Sequence, residues 1–334
     1  MRPATLIALA IGLLLAGGAV AAPPASEEAR LAANPMDSDL MDAFPEKARG
    51  QNIKAAVTMR CTIDATGKAR RCETLKEDPY GLGFGEAGTG LMERKGRFKP
   101  RRIDGQAVDG GQVEVSVYIW PRPGRKASTP LYDEPVWASV ASAEDMAAAW
   151  PAGHPGDEAV VVLRCTMRPA GELKACRAIN GAEKAPVDAA LALSDRFRVR
   201  LDREQASFHA GWDVILSLRL LNPAGPAAAE RQVKAPDWTT YPDKQALQAV
   251  YPDKAAQAGI RSGRGIVDCL VAADGSLTDC RIVGERPDGL GFGEAAVRVA
   301  GQMKLDLWSA DGRPTAGSRI RLPVDFNQPQ STAR

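Results

Sequence analysis

The chain has 334 residues, with 43 basic and 41 acidic side chains, a formal net charge of +2 and 45% hydrophobic residues. Near-neutral charge does not describe a dedicated nucleic-acid binder, and the length exceeds what one ordinary core occupies. Only two histidines are present, His154 and His209, which leaves little for acid–base or metal chemistry.

At the amino terminus Arg2 precedes an apolar run from Leu6 to Leu15, and Ala19-Val20-Ala21 follows as a cleavage-type triplet. Residues 1–21 therefore read as a signal peptide for export to the periplasm. The alternative is an uncleaved inner-membrane anchor facing the periplasm, because Ala4–Ala22 offers about nineteen weakly polar residues. Contact with a membrane is expected only in that case, and no later stretch is long and apolar enough to span one. Pro23 to Asn34 is a short connector.

Beyond it one unit is written three times. Cysteines stand at 61 and 72, 165 and 176, and 269 and 280, eleven residues apart within each pair and 104 apart between pairs. RCTIDATGKARRC from Arg60, RCTMRPAGELKAC from Arg164 and DCLVAADGSLTDC from Asp268 each place a glycine (Gly67, Gly171, Gly275) six residues after the first cysteine. A hairpin centred between Thr66 and Gly67 pairs positions that sum to 133, which puts Cys61 across from Cys72; the sums 341 and 549 do the same for Cys165–Cys176 and Cys269–Cys280. Cross-strand disulfides within each hairpin follow, and they need an oxidising compartment. A two-residue loop would place the cysteines at a hydrogen-bonded pair, a poorer fit than a longer loop gives. Structural zinc is not expected, because two cysteines per repeat without a repeated histidine cannot complete a tetrahedral shell. No cofactor is implied.

Pro-rich stretches at 121–135 and 222–236 read as linkers, giving domains at 35–121, 135–222 and 236–327. Aromatic-proline pairs (Phe44-Pro45, Trp150-Pro151, Tyr251-Pro252) are each followed by a short helical segment, clearest before the stop at Gly259. The hairpin comes next, then a helix (Gly85 to about Arg97, Val187 to Phe197, Gly293 to about Met303), then a closing strand (Gln112–Trp120, Trp212–Leu221, Ser318–Phe326). The fold class is α+β, an α-β-β-α-β order repeated three times, with a small antiparallel sheet packed on helices.

PYGLGFGEA from Pro79 and PDGLGFGEA from Pro287 invite a phosphate-loop reading, but no lysine–hydroxyl pair follows, and Glu86 and Glu294 replace the third fingerprint glycine. Phe84 and Phe292 are read there as core anchors. The histidines read as surface loop residues. No nucleophile elbow or metalloprotease motif is present, and only scattered carboxylates leave a glycosidase-type pair open, so no enzyme is expected. Arg94, Lys95, Arg97, Lys99, Arg101 and Arg102 form a basic patch suited to anionic lipid, cell-wall acids or an acidic partner, or to a solvated helix end. In the first closing strand Val113, Val115, Val117 and Ile119 alternate with Glu114, Ser116, Tyr118 and Trp120. If that strand is a sheet edge, an extended peptide can add to it, with Tyr118 and Trp120 in contact. Trp212, Val214 and Leu216 repeat the pattern, whereas Pro323 should interrupt the third strand and remove a donor.

Aromatic-proline, short helix, hairpin, helix, then RF-x-P and a closing strand together resemble the carboxy-terminal domain of TonB-family energy transducers. YPDKAAQAGIRSGRGIVDCLVAADGSL in the third repeat and GRFKPRRIDGQ with VEVSVYIW in the first carry the resemblance, while the second repeat keeps WP, the hairpin and Asp195-Arg196-Phe197. The resemblance implies capture of a short extended peptide, such as that of an outer-membrane receptor, by strand addition. It departs from the transducers in having no histidine in the apolar segment and no long proline-rich rod. Ala22 to Asn34 reaches only about 45 Å fully extended. The expected function is a periplasmic, non-enzymatic protein of three tandem TonB-like domains that binds extended peptides or envelope proteins. The alternatives are a membrane-anchored TonB-type energy transducer and a cell-wall or envelope structural protein. Small sheets with open edges can also exchange strands into dimers.

Overall fold

The computed structural model describes residues 26–121, 129–234 and 236–328. The leader at 1–21 and part of the first linker lie outside these residues. Three small antiparallel sheets repeat one topology. The first is built from β1 (Ala55–Ile63), β2 (Ala69–Asp78) and, after helix α1 (Phe84–Lys95), β3 (Gly111–Ile119). The second has β4 (Glu158–Met167), β5 (Leu173–Ala178), α2 (Lys184–Leu193) and β6 (Asp213–Leu221). The third has β7 (Ser262–Val271), β8 (Leu277–Arg286), α3 (Phe292–Ala300) and β9 (Arg319–Asn327). In each, the first hairpin strand is central and the closing strand lies on its far side, in the orders β2-β1-β3, β5-β4-β6 and β8-β7-β9.

Period-2 alternation explains the core: Val57, Met59, Cys61 and Ile63 are buried on the helix side of β1, whereas Thr58 and Arg60 face away. The hairpin turn has three loop residues rather than two. Asp64 N–H donates to Lys68 O and Gly67 N–H to Asp64 O, so the closing pair sums to 132. A bulge at the start of β2 then restores the register, and Cys61 faces Cys72. The Cα atoms of each cysteine pair are 4.0 Å apart, near the spacing of a non-hydrogen-bonded pair, and Cys72 N–H donates outward to Glu93. The bulge thus resolves the poor fit of a two-residue loop. Gly67, Gly171 and Gly275 have φ of +82°, +86° and +82°, and a Cβ on each would lie within 2.3 Å of the carbonyl oxygen of Phe98, Val199 or Leu305. Those same residues donate their N–H groups to the three turn glycines. Only glycine fits both the dihedral and the approach.

Several sequence expectations shift. The main helices end two to four residues early, at Lys95, Leu193 and Ala300. Pro252 caps Asp253–Gln257 rather than opening its first turn. In the second unit the helix, Ala143–Ala148, precedes Trp150-Pro151 and only turns follow it, because Gly153, Pro155 and Gly156 crowd that stretch. The first unit carries an extra hairpin, Arg101–Ile103 with Gln106–Val108, turning on Asp104-Gly105. Pro323 does not interrupt its strand: β9 runs unbroken and Pro323 pairs with Ile266.

The units are not beads on a string. Val162 of β4 belongs to the first hydrophobic cluster and Trp308 to the second, where its ring meets Phe197 edge-on at 4.7 Å. From Val161 to Cys165 every side chain is buried, so the middle sheet is covered on both faces. Arg164 fixes the first joint: Nε donates to Asp213 at 2.6 Å, Nη1 to Gln51 O at 2.6 Å and Nη2 to Thr129 O at 3.3 Å. A buried guanidinium requires this number of partners.

Candidate functional site

The closing strands β3, β6 and β9 each pair with a central strand on one side only. Backbone N–H and C=O groups alternate sides along a strand. In β6, Asp213 N–H donates to Pro130 O and Asp213 O accepts from Tyr132 N–H; in β9, Arg319 N–H donates to Arg231 O and Arg319 O accepts from Val233 N–H. The outward residues are therefore Asp213, Ile215, Ser217 and Arg219 in β6, and Arg319, Arg321, Pro323 and Asp325 in β9. Val113, Val214 and Ile320 all pair with the first cysteine of their unit, so the outward residues of β3 are Gln112, Glu114, Ser116 and Tyr118.

These three edges differ in occupancy. Leu131 and Gln232 each form a parallel bridge at the start of β6 and β9, so the chain adds its own linker to both edges. Farther along β6, Ser217 O accepts from Trp308 Nε1 at 3.0 Å and Arg219 N–H donates to Gly312 O at 2.8 Å. In β9 the outward Pro323 offers no donor. Among the described residues, none bonds to the outward backbone groups of β3. Residues 26–27 pair with the extra hairpin.

The structure places the expected binding residues in two groups. Val115 and Val117 are buried against α1, with Val113 partly buried, so they support the edge from behind. Tyr118 stands on the open face and is 63% exposed, whereas Trp120 lies past the strand end and packs on the first core. Trp212 precedes β6, and Val214 and Leu216 are buried in the second core. On the open face Thr58 bonds Ser116 at 2.8 Å, and Arg60 pairs with Glu114 at 2.6 Å.

Residues 247–328, most of the third unit, match the family model of the Gram-negative bacterial TonB protein C-terminal. An uncharacterized protein of Caulobacter vibrioides is 38% identical over 86 residues, which are 24% of this chain and 86% of that relative. The chain belongs to the TonB family. That family is not enzymatic and works in the periplasm of Gram-negative bacteria. No helix among the described residues is long and apolar enough to cross a membrane.

The glycine-rich loops of this TonB-family chain already hold an anion of their own. Gly83 and Gly291 precede the helices at φ +86° and +88°. Glu77 accepts from Gly83 N–H at 3.1 Å and Phe84 N–H at 3.0 Å; its repeat counterpart Glu285 accepts from Gly291 N–H at 3.4 Å and Gly293 N–H at 2.6 Å. Burial pushes the Glu77 carboxyl up against the pull of these amides; at Glu285 burial acts the same way but the amides prevail and hold it down. Phe84 and Phe292 are fully buried. The basic residues are mostly exposed around the buried Phe98. Lys95 lies 3.4 Å from Asp39 and Arg101 3.8 Å from Glu28, while Arg97 and Arg102 donate to nearby carbonyls and Arg94 and Lys99 stand exposed. His154 lies in a loop, as expected, and packs on Trp150, whereas His209 ends a helix among Tyr132, Phe208 and Trp212.

A cavity of about 470 Å³ lies where the three units and the end of the first linker meet, and sequence reasoning did not anticipate it. Its walls carry Trp137, Trp238 and Trp308, the edge residues Ser116 and Tyr118, and the carboxylates of Asp78, Asp133, Glu134, Asp237 and Asp306. Among the described residues its cations are Lys54 and Lys76, which are paired with Asp133 and Asp237. Burial, then repulsion from Asp237, pushes the Asp78 carboxyl up to about 6. Burial likewise raises Asp306 to about 6, although it accepts from Trp308 N–H and Trp137 N–H.

Proposed function

We propose that the protein is a periplasmic binding protein whose first unit captures an extended peptide of an envelope protein by strand addition along the outer edge of β3. In this reading 1–21 is the export leader, and 35–121, 135–222 and 236–327 are three TonB-like domains of which the first binds in trans. The supporting observation is the contrast between edges. The outward groups of Glu114, Ser116 and Tyr118 have no partner among the described residues, whereas the second edge is filled by the chain's own segments and the third lacks a donor at Pro323. Every group offered by β3 gains a hydrogen bond when a strand is added, each worth about 1 kcal/mol net. The middle unit acts as a scaffold, since both its faces are covered.

Amide hydrogen exchange tests the reading directly. On addition of a capped heptapeptide of alternating valine and threonine, amides of Glu114, Ser116 and Tyr118 should slow while those of Asp213 and Arg219 stay unchanged. Protection appearing only outside β3 would overturn the assignment.

A further inference from the structure

We infer that the cavity between the units is a side-chain pocket for a basic residue, lysine or arginine, of the peptide added to β3. This rests on the strand-addition reading for how the peptide arrives, but the pocket itself is argued from its own walls. Ser116 and Tyr118 belong both to the open edge and to the cavity lining. Side chains of an added strand alternate between faces, so every second one stands beside Ser116 and Tyr118 on the open side, at the cavity. The edge and the cavity are therefore one continuous surface.

Charge and shape choose the occupant. Among the described residues five carboxylates line the cavity against two ammonium groups, and both ammonium groups are already paired. Asp306 is held by two backbone N–H groups, while Asp78 and Glu134 share Lys76 and Lys54 with Asp237 and Asp133, so the described walls carry an excess of carboxylates. An acidic side chain would meet like charge in a partly desolvated site, and a neutral one would leave these carboxylates uncompensated. A cation satisfies them, and the tryptophan and tyrosine rings offer faces to its stem and head. A volume near 470 Å³ accommodates an arginine or lysine side chain, not a folded domain.

The test uses the full chain and three capped Val/Thr heptapeptides whose central threonine is replaced by arginine, by its neutral isostere citrulline, or by glutamate. Calorimetry should rank arginine about tenfold tighter than citrulline, with glutamate weakest. The double variant Asp78→Asn/Glu134→Gln should erase the arginine preference, bringing the arginine and citrulline peptides to equal affinity. Equal affinities in the wild-type chain, or a preference that survives in the double variant, would overturn the pocket. Argininamide alone, followed by tryptophan fluorescence, separates the two ideas. A saturable change lost in the double variant supports the pocket even if no heptapeptide binds, in which case strand addition fails alone. No response to argininamide, together with no arginine preference, removes the pocket.

Discussion

Ser116→Pro separates strand addition from stability. Ser116 pairs with Thr58, and the same position in the other units is Ser217 opposite Val162 and Pro323 opposite Ile266. The third unit thus carries proline at this point in an unbroken strand, so the fold accepts the ring. In β3 the Ser116 N–H points outward and contributes nothing to the ladder with β1. Its loss leaves the sheet intact apart from the exposed hydroxyl bond to Thr58, worth roughly 0.5 kcal/mol. For an added strand the change removes one donor, about 1 kcal/mol, and places a ring where the peptide backbone must run, so affinity should fall at least about tenfold. Val115→Pro is the contrast. Its N–H faces Met59 and its side chain is 8% exposed, so the ladder and the core are both damaged, at a cost of about 3 kcal/mol or more. Calorimetry with the Val/Thr heptapeptide, alongside thermal melts, reads both effects. Unchanged affinity in Ser116→Pro with an unchanged melting temperature would refute binding at this edge.

The remaining predictions concern the scaffold. Gly275→Ala should cost about 3 kcal/mol in urea unfolding, combining the left-handed dihedral with the 2.2 Å approach to Leu305 O; Gly289→Ala, at φ +74° with open space around it, should cost only about 1 kcal/mol. Replacing Cys269 and Cys280 together by alanine opens a loop of about twelve residues and should lower stability by about 3 kcal/mol, read by the same unfolding curves. Asp78 titrates near 6 in the fold and near an ordinary carboxyl value of 3.8 unfolded, facing Asp237, Lys76, Glu134 and Asp133. The folded state therefore holds the extra proton between these values, and stability falls as pH rises through that window. Asp78→Asn should be more stable than wild type at pH 7.5, by on the order of 2 kcal/mol, and the advantage should vanish below about pH 4. An advantage independent of pH would contradict the cause assigned.

Spacing made the hairpins legible. Identical cysteine intervals and one glycine per turn are local, periodic signals, and they placed the disulfides and the closing strands. The same locality hid the bulge: a register sum of 133 is right at the cysteines and wrong at the loop, because three loop residues and one bulge residue cancel. The extra hairpin was missed, although Asp104-Gly105 is a turn signal that could have pointed to it. What the sequence could not disclose was everything that depends on contact between units. Trp308 reads as an ordinary hydrophobic residue in the third repeat, yet it packs in the core of the second. Val214 and Val115 have the same pattern, but the edges they support differ because one strand meets Leu131 and Gly312 and the other does not.

This contrast bears on why three copies would be kept on one chain. A sheet edge is a template that pairs with whatever extended strand reaches it. In the second and third units that strand is the preceding linker, joined in parallel at Asp213 and Arg319. The linkers thereby serve as built-in added strands, docking each unit on its own approach segment and closing the edge to others. In the first unit residues 26–27 pair with the extra hairpin, and no described residue bonds the outward groups of β3, which lie beside a cavity walled in part by the other two units. Under the proposed strand-addition reading, the second and third units would shape the binding site of the first, which a single TonB-like domain could not achieve alone.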